Sequence, residues 1–386
     1  MQKIRVLQVI PHLGKAGAER MAAEICYGLS KRDDVEVLLI TFSPTNTYKQ
    51  YTDYFPCRVC SSWINLSISG KTEKNMDDYI KIVNEFKPHI IHSHLFKADL
   101  LSREVLFPNV KYFSHQHGAD SVFLKPSIDK FVKKSSIVKM YERERIISKY
   151  RKCNNTFIAV SKYIESYLKK NLPADIQKIV MLYNAINVKN FKNNNPRKCN
   201  YHKEINNELK IISAGTLIPR KNQKLQIEIM QELINRGINA KLMILGEGEE
   251  KQNLIKLTQE KGLSDYITYV GNVDNISEYY HNSDIMLHTS KDEPFGLVLV
   301  EAMAAGLPCI ALDGKGNKEI IIDGQNGFII PEQIPSLFAD KIQYILDSDE
   351  IWERFSANAS ITAAQYDINP YINKLISVYK QSLNFI

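Results

Sequence analysis

The chain has 386 residues, 44% apolar and 24% charged, a composition that excludes disordered and fibrous classes and leaves room for two domains with separate cores. Its net charge of +7 is modest. No run of about 18 to 20 apolar residues occurs; the nearest, from Phe295 to Leu312, is broken by Glu301 and Pro308, so no membrane-spanning helix is expected.

The start reads as a charged strand edge running into a loop rather than a signal peptide, so the chain is expected to stay in the cytoplasm. Short apolar runs then alternate with helical patterns. Strands are expected at 4–10, 35–41, 89–93, 110–114, 156–160 and 178–183, with helices such as 19–30, 76–86 and 162–171 between them. Such alternation implies a parallel sheet covered on both faces. Residues 190–207, rich in Asn, Lys and Pro and without a period, read as a linker. The rhythm resumes with strands at 210–214, 241–245, 267–270, 285–288, 309–312 and 327–330 and helices at 222–236, 249–261, 295–305 and 336–346. A last helical pattern follows Asn369. The expected architecture is α/β: a first domain at 1–195, a second at 205–369, and a tail at 370–386 that returns to the first. Each is a doubly wound parallel sheet that binds ligands at the carboxyl ends of its strands, the two facing across a cleft.

Several stretches carry chemistry. Asp292-Glu-Pro-Phe-Gly-Leu-Val-Leu-Val-Glu-Ala-Met-Ala-Ala-Gly306 sets Glu293 and Glu301 either side of a Pro-Phe-Gly turn. Burying a carboxylate without a partner is costly, so packing alone does not account for them. Ionised carboxylates accept hydrogen bonds from sugar hydroxyls, and a helix beginning near Phe295 offers its N-terminus to a phosphate. Arg220 and Lys221 precede a helix, where cations oppose the helix dipole unless an anion such as a diphosphate faces them; a solvated pair is the alternative. The loop Pro11–Arg20 contains Gly17 and opens the first helix, where backbone N–H groups can approach a phosphate, though ordinary first turns look similar. His92, His94, His115 and His117 form two His-x-His pairs at strand ends, a metal-like spacing that no Cys or carboxylate completes, so no metal site is expected. His117, ending a strand, is the better catalytic candidate. Of six cysteines only Cys57 and Cys60 are close, and reduced thiols fit.

Ten Lys or Arg lie between Lys125 and Lys152 against Asp129, Glu142 and Glu144, interleaved with apolar residues. The segment is either a membrane-surface helix for anionic lipid or a solvated face with an apolar stripe on the core. Nucleic acid is not expected, because no binding motif accompanies the charge.

Taken in order, these residues resemble the family 4 retaining glycosyltransferases of GT-B fold. Glu293-Pro-Phe-Gly-Leu to Glu301-Ala-Met-Ala resembles the family's E-x7-E signature, joined by Gly215-Thr-Leu to Lys221-Asn, Gly246-Glu-Gly, Gly271-Asn-Val and Glu319-Ile-Ile to Asn326-Gly. In the first half, Ala16-Gly-Ala-Glu-Arg20 resembles its Gly-Gly-x-Glu loop, and Val160-Ser-Lys and Asn184-Ala-Ile-Asn to Phe191 its crossover region. The resemblance implies that Glu301 binds the ribose and that Glu293, with backbone groups of Phe295, Gly296 and Leu297, holds the donor sugar. Lys221 binds the diphosphate, aided by the loop at Gly17; Val273 meets the base and His117 the anomeric centre. Gly246 lies in a loop that shapes donor choice. No metal or cofactor is implied, because Lys and helix N-termini stabilise the leaving diphosphate. Two positions depart from the pattern. Thr216 stands where the family often has Arg, with Arg220 as a substitute from across the loop, and Ala16 replaces one glycine. The implied activity is transfer from a UDP- or GDP-sugar to a glycan or lipid-linked saccharide in surface polysaccharide biosynthesis, at the cytoplasmic membrane face. A non-catalytic nucleotide-sugar-binding subunit and a sugar-nucleotide epimerase are the rivals.

Overall fold

The computed structural model describes residues 3–65, 72–124, 134–193, 198, 199, 201 and 208–384. The chain divides into two compact units, residues 1–184 with 368–386, and residues 185–367. Strands of the first are β1 Ile4–Ile10, β2 Val35–Thr41, β3 Cys57–Val59, β4 Trp63–Asn65, β5 Glu73–Asn75, β6 Ile90–His94, β7 Lys111–Gln116, β8 Thr156–Ala159 and β9 Ile179–Met181. Seven form an all-parallel sheet in the order β3-β2-β1-β6-β7-β8-β9. Helices cover both faces, which is why β1 and β6 are buried almost throughout and read as continuous apolar runs. The antiparallel β4–β5 pair escaped the sequence reading; its two three-residue strands are mostly exposed and carry no apolar alternation.

A buried polar network ties β6, β7 and the entry to β8. Arg103, 1% exposed, donates to Asp99 at 3.1 Å, to the Ser93 and Ser114 hydroxyls at 2.7 and 2.8 Å and to the Asn155 side-chain oxygen. The Tyr150 hydroxyl donates to the other Asp99 oxygen at 2.6 Å. Tyr150 comes from helix Lys134–Lys152, which buries Ile146, Ile147 and Tyr150. Its cations are largely engaged within the chain: Arg145 and Lys149 with Glu104, Arg151 with Asp175, Arg143 with the Asn171 carbonyl. In this part of the basic segment the apolar stripe therefore faces the core; residues 125–133 lie outside the described ones. Among the described residues no helix is long and apolar enough to cross a membrane.

The C-terminal helix Ile368–Ser382 belongs to the first unit and packs on helix Gly17–Ser30. Gly28 allows the close approach: a Cβ there would come within 2.6 Å of Ile372.

The second unit holds β10 Leu209–Ala214, β11 Ala240–Leu245, β12 Ile267–Gly271, β13 Ile285–His288, β14 Cys309–Leu312 and β15 Gly327–Ile330, all parallel, in the order β12-β11-β10-β13-β14-β15. Helix Asp349–Ala364 was not expected from periodicity. Its buried positions include Ser356, Ala359, Thr362 and Ala363, small or polar residues that blur an apolar stripe. It is anchored by fully buried Trp352, whose indole N–H donates to the Asp284 carbonyl at 2.9 Å. Both units are thus the doubly wound parallel sheets expected.

Candidate functional site

In the second unit the chemistry gathers past the carboxyl ends of β10 and β13. Beyond β10 the chain makes a short turn, Pro219–Lys221, and Asn222 enters the next helix with φ 54°. The Thr289 hydroxyl, just past β13, donates to the carbonyls of Lys221 and Asn222 at 3.2 and 3.0 Å. The Lys291 amide donates to the Arg220 carbonyl at 3.0 Å, and the Arg220 guanidinium donates to the Asp292 carbonyl. These bonds clamp two loops far apart in sequence and bring Lys221 to Glu293.

Glu293 is 7% exposed. One of its oxygens, Oε2, accepts from the Lys221 ammonium and from His288 Nε2, the latter at 3.0 Å. Its main chain is held too, its N–H donating to the Gly314 carbonyl at 2.8 Å and its carbonyl accepting from Gly316 at 2.9 Å. Burial by itself would raise its pKa, but the Lys221 charge and the His288 bond outweigh it and hold the carboxyl well below the usual carboxylate range. Burial, partly offset by Glu293, pushes His288 down, so the imidazole is neutral and donates.

Glu301, 2% exposed, lies on helix Leu297–Ala304 and accepts from the Tyr280 hydroxyl at 3.1 Å. The helix starts two residues later than the sequence suggested. Gly296 turns the chain into it with φ 106°, and Glu301 sits about one turn in. Phe295 sends its side chain into the core, its ring 5.4 Å from that of Tyr366, which leaves its backbone for the turn. Leu297 is half-buried at the helix start. Thr216 and Arg220 are exposed, Val273 is half-buried two residues past β12, and Gly246 follows β11 with φ 132°. There the backbone permits no side chain: a Cβ on Gly246 would fall 2.1 Å from the Gly215 carbonyl oxygen.

In the first unit Gly17 is exposed at the start of its helix, behind Ala16 in extended conformation. His117 follows β7 and joins His92, His94 and His115 in a stack, with centroids of neighbouring rings 4.3 to 5.3 Å apart. Burial lowers the pKa of all four, that of His117 to about 3. His92, His94 and His115 bring nitrogens within 4.8 Å of one another. Within that trio His94 is tilted 25° and 28° from its neighbours, while His92 and His115 are parallel to within 6°, so the in-plane lone pairs of these last two run side by side. A metal needs them to converge at about 2.0–2.1 Å. Two partners of the stack, Gln8 and Tyr379, escaped the sequence reading. Gln8 had left a signal, a lone amide inside the apolar run of β1; Tyr379 reads as an ordinary apolar position of its helix. Tyr280 and His288, the partners of the two carboxylates, were hidden in the same way.

Residues 16–190 match the family described as Glycosyltransferase Family 4, and residues 197–361 the family described as Glycosyl transferases group 1. The α-D-kanosaminyltransferase of Streptomyces kanamyceticus is 28% identical over 174 residues, 44% of this chain and 45% of that protein. An uncharacterized glycosyltransferase of Methanocaldococcus jannaschii is 29% identical over 250 residues, 62% of this chain and 63% of that one. The chain thus matches about half to two thirds of the length of these curated relatives. Among solved structures, HepE of Anabaena in complex with UDP and glucose shares the fold, with a TM-score of 0.76 at 18% identity over 98% of this chain and 100% of that one. With two family matches in order along nearly its whole length, and Glu293 and Glu301 inside the second, the chain belongs to the family 4 glycosyltransferases of GT-B fold.

Proposed function

We propose that this chain transfers a sugar from a nucleotide-sugar donor to a glycan acceptor with retention at the anomeric carbon, in surface polysaccharide biosynthesis. The observation that carries the proposal is the buried Lys221–Glu293–His288 group, with Glu301 one turn into the adjoining helix. Lys221 takes the diphosphate, Glu293 and the Phe295–Leu297 backbone the sugar, Glu301 the ribose and Val273 the base. Arg220 adds charge where Thr216 stands, and the loops at Gly17 and Gly246 leave room for backbone approach to the donor. His117 takes a hydroxyl of the sugar substrate. The bond between the anomeric carbon and the diphosphate breaks, the acceptor oxygen forms its bond on the same face, and its proton passes to the departing phosphate oxygen. Lys221 and the helix N-terminus stabilise the leaving group, so the reaction needs no metal. A solved relative of like fold was captured with UDP and glucose, which favours a UDP-sugar over a GDP-sugar here. The acceptor is lipid-linked and the enzyme works at the cytoplasmic membrane face, with the basic segment 125–152 meeting anionic lipid.

A panel of UDP- and GDP-sugars, with and without lipid-linked saccharide, tests this by nucleotide release and product anomeric configuration. Acceptor-dependent release with retained configuration is expected. Binding without turnover across the panel would establish the non-catalytic subunit that Thr216 suggests, and sugar interconversion would establish an epimerase. Flotation with anionic vesicles tests the membrane contact, which fails if no salt-sensitive binding is seen.

A further inference from the structure

The side-chain amide of Gln8 sits at the centre of a chain of hydrogen bonds that ends at His117. Its NH2 group donates to the Tyr379 hydroxyl at 3.2 Å and lies 3.3 Å from His92 Nδ1. The Tyr379 hydroxyl is itself 2.5 Å from His92 Nδ1. The Gln8 carbonyl oxygen lies 2.8 Å from His94 Nε2. A carbonyl oxygen only accepts, so His94 carries its hydrogen on Nε2. A neutral imidazole has one N–H, which leaves His94 Nδ1 as an acceptor. The atom facing it at 2.9 Å is His117 Nε2, which must donate. The lone pair of His117 is then on Nδ1, an atom sealed from solvent and without a partner among the described residues. A second proton on any ring would place a charge inside a buried stack whose members all resist charging. Immediately after His94 the backbone is strained, Leu95 being held at φ 69°, as happens where surrounding structure over-determines a site.

We propose that Gln8, His94 and Tyr379 are positioning residues that hold His117 as one neutral tautomer, its Nε2–H given to His94 and its Nδ1 left bare, the acceptor that a hydroxyl of the sugar substrate meets when it displaces the atoms now covering it. His117 therefore acts as a hydrogen-bond acceptor and not as a general base. The relay makes the C-terminal helix part of the site, since Tyr379 lies 371 residues from Gln8. The identity of the hydroxyl rests on the glycosyl-transfer reading; the tautomer does not.

The full-length chain with isotope-labelled histidine, followed by two-bond proton–nitrogen spectra near neutral pH, reads each ring nitrogen as protonated or bare. His117 with Nε2 protonated and Nδ1 bare is expected; the opposite tautomer, or a mixture, overturns the proposal. Tyr379→Phe removes one oxygen, and it should convert His117 to a mixture. With a turned-over donor, Tyr379→Phe should lower kcat by at least about fivefold and His94→Ala by about 10²-fold, with donor KM unchanged, as when the group holding a catalytic imidazole's tautomer is lost. Unchanged tautomer and unchanged kcat in Tyr379→Phe refute the relay even if His94→Ala fails to fold. Absence of turnover in the unaltered chain counts against the glycosyl-transfer reading, while the spectra still decide the tautomer.

Discussion

At the scale of the residue, Glu293 shows how a carboxylate is kept ionised away from water. The cost of taking it out of solvent is offset by one ammonium and one imidazole N–H on the same oxygen. Removing one partner of such a pair strands the other, at a cost of about 3–5 kcal/mol for a buried pair, and toward the lower figure here because Lys221 is 14% exposed. Lys221→Met should therefore destabilise the chain by about 3 kcal/mol in urea unfolding followed by Trp352, and Lys221→Met with Glu293→Gln by clearly less. Equal losses in both would mean that Glu293 does not depend on Lys221. In turnover, Lys221→Ala and Glu301→Ala should each lose at least about 10²-fold, as when one charge-stabilising group is removed; near-normal rates would sink the site assignment. The two glutamates were legible in the sequence because they sit in one local signature. His288 and Tyr280 were not, since a His or Tyr in a buried stretch looks the same whether or not it touches a carboxylate.

At the scale of the element, loops past parallel strands are placed by backbone contacts. Gly246 brings the loop after β11 against Gly215, its N–H donating to the Gly271 carbonyl at 2.8 Å. Gly246→Ala meets both an unfavourable φ and the Gly215 carbonyl. It should cost more than about 1 kcal/mol of stability and weaken nucleotide binding at least about tenfold, by calorimetry; wild-type affinity would show that these loops do not shape the donor site. Helix Asp349–Ala364 depends on its cap, where Ser348 accepts from the Ile351 amide at 3.2 Å. Ser348→Ala should cost about 1 kcal/mol, and thermal unfolding with no change would show that water replaces the cap. Strand positions were readable because parallel strands buried on both faces are continuous apolar runs. The short exposed β4–β5 pair and the small-residue helix near the end lack that signal.

At the scale of the molecule, the response to acid is concentrated in one of the two units. In the first, His92, His94, His115 and His117 all have folded pKa values below the unfolded value of about 6.5. Below that pH the unfolded chain binds protons that the folded chain refuses, so stability present above pH 6.5 is lost as pH falls toward the folded values, by up to about 1.4 kcal/mol per pH unit per histidine. Glu104, held down to about 2 by Lys149, Lys74 and Arg145 against its own desolvation, adds a further loss only below the usual carboxylate range. Urea unfolding of the first unit, followed by Trp63 in a Trp352→Phe background, should weaken between pH 7 and about pH 5.5; a flat profile there would mean the stack accepts protons when folded. By itself the sequence determined two parallel α/β units, the family and the E-x7-E carboxylates, because each is written in periodicity or in a contiguous motif. Tertiary structure alone decided which groups hold those carboxylates, that the basic helix turns its apolar stripe inward, and that Tyr379 and Gln8 reach the histidine stack. Those contacts join residues up to 371 positions apart, and their partners are set by packing, which no local pattern encodes.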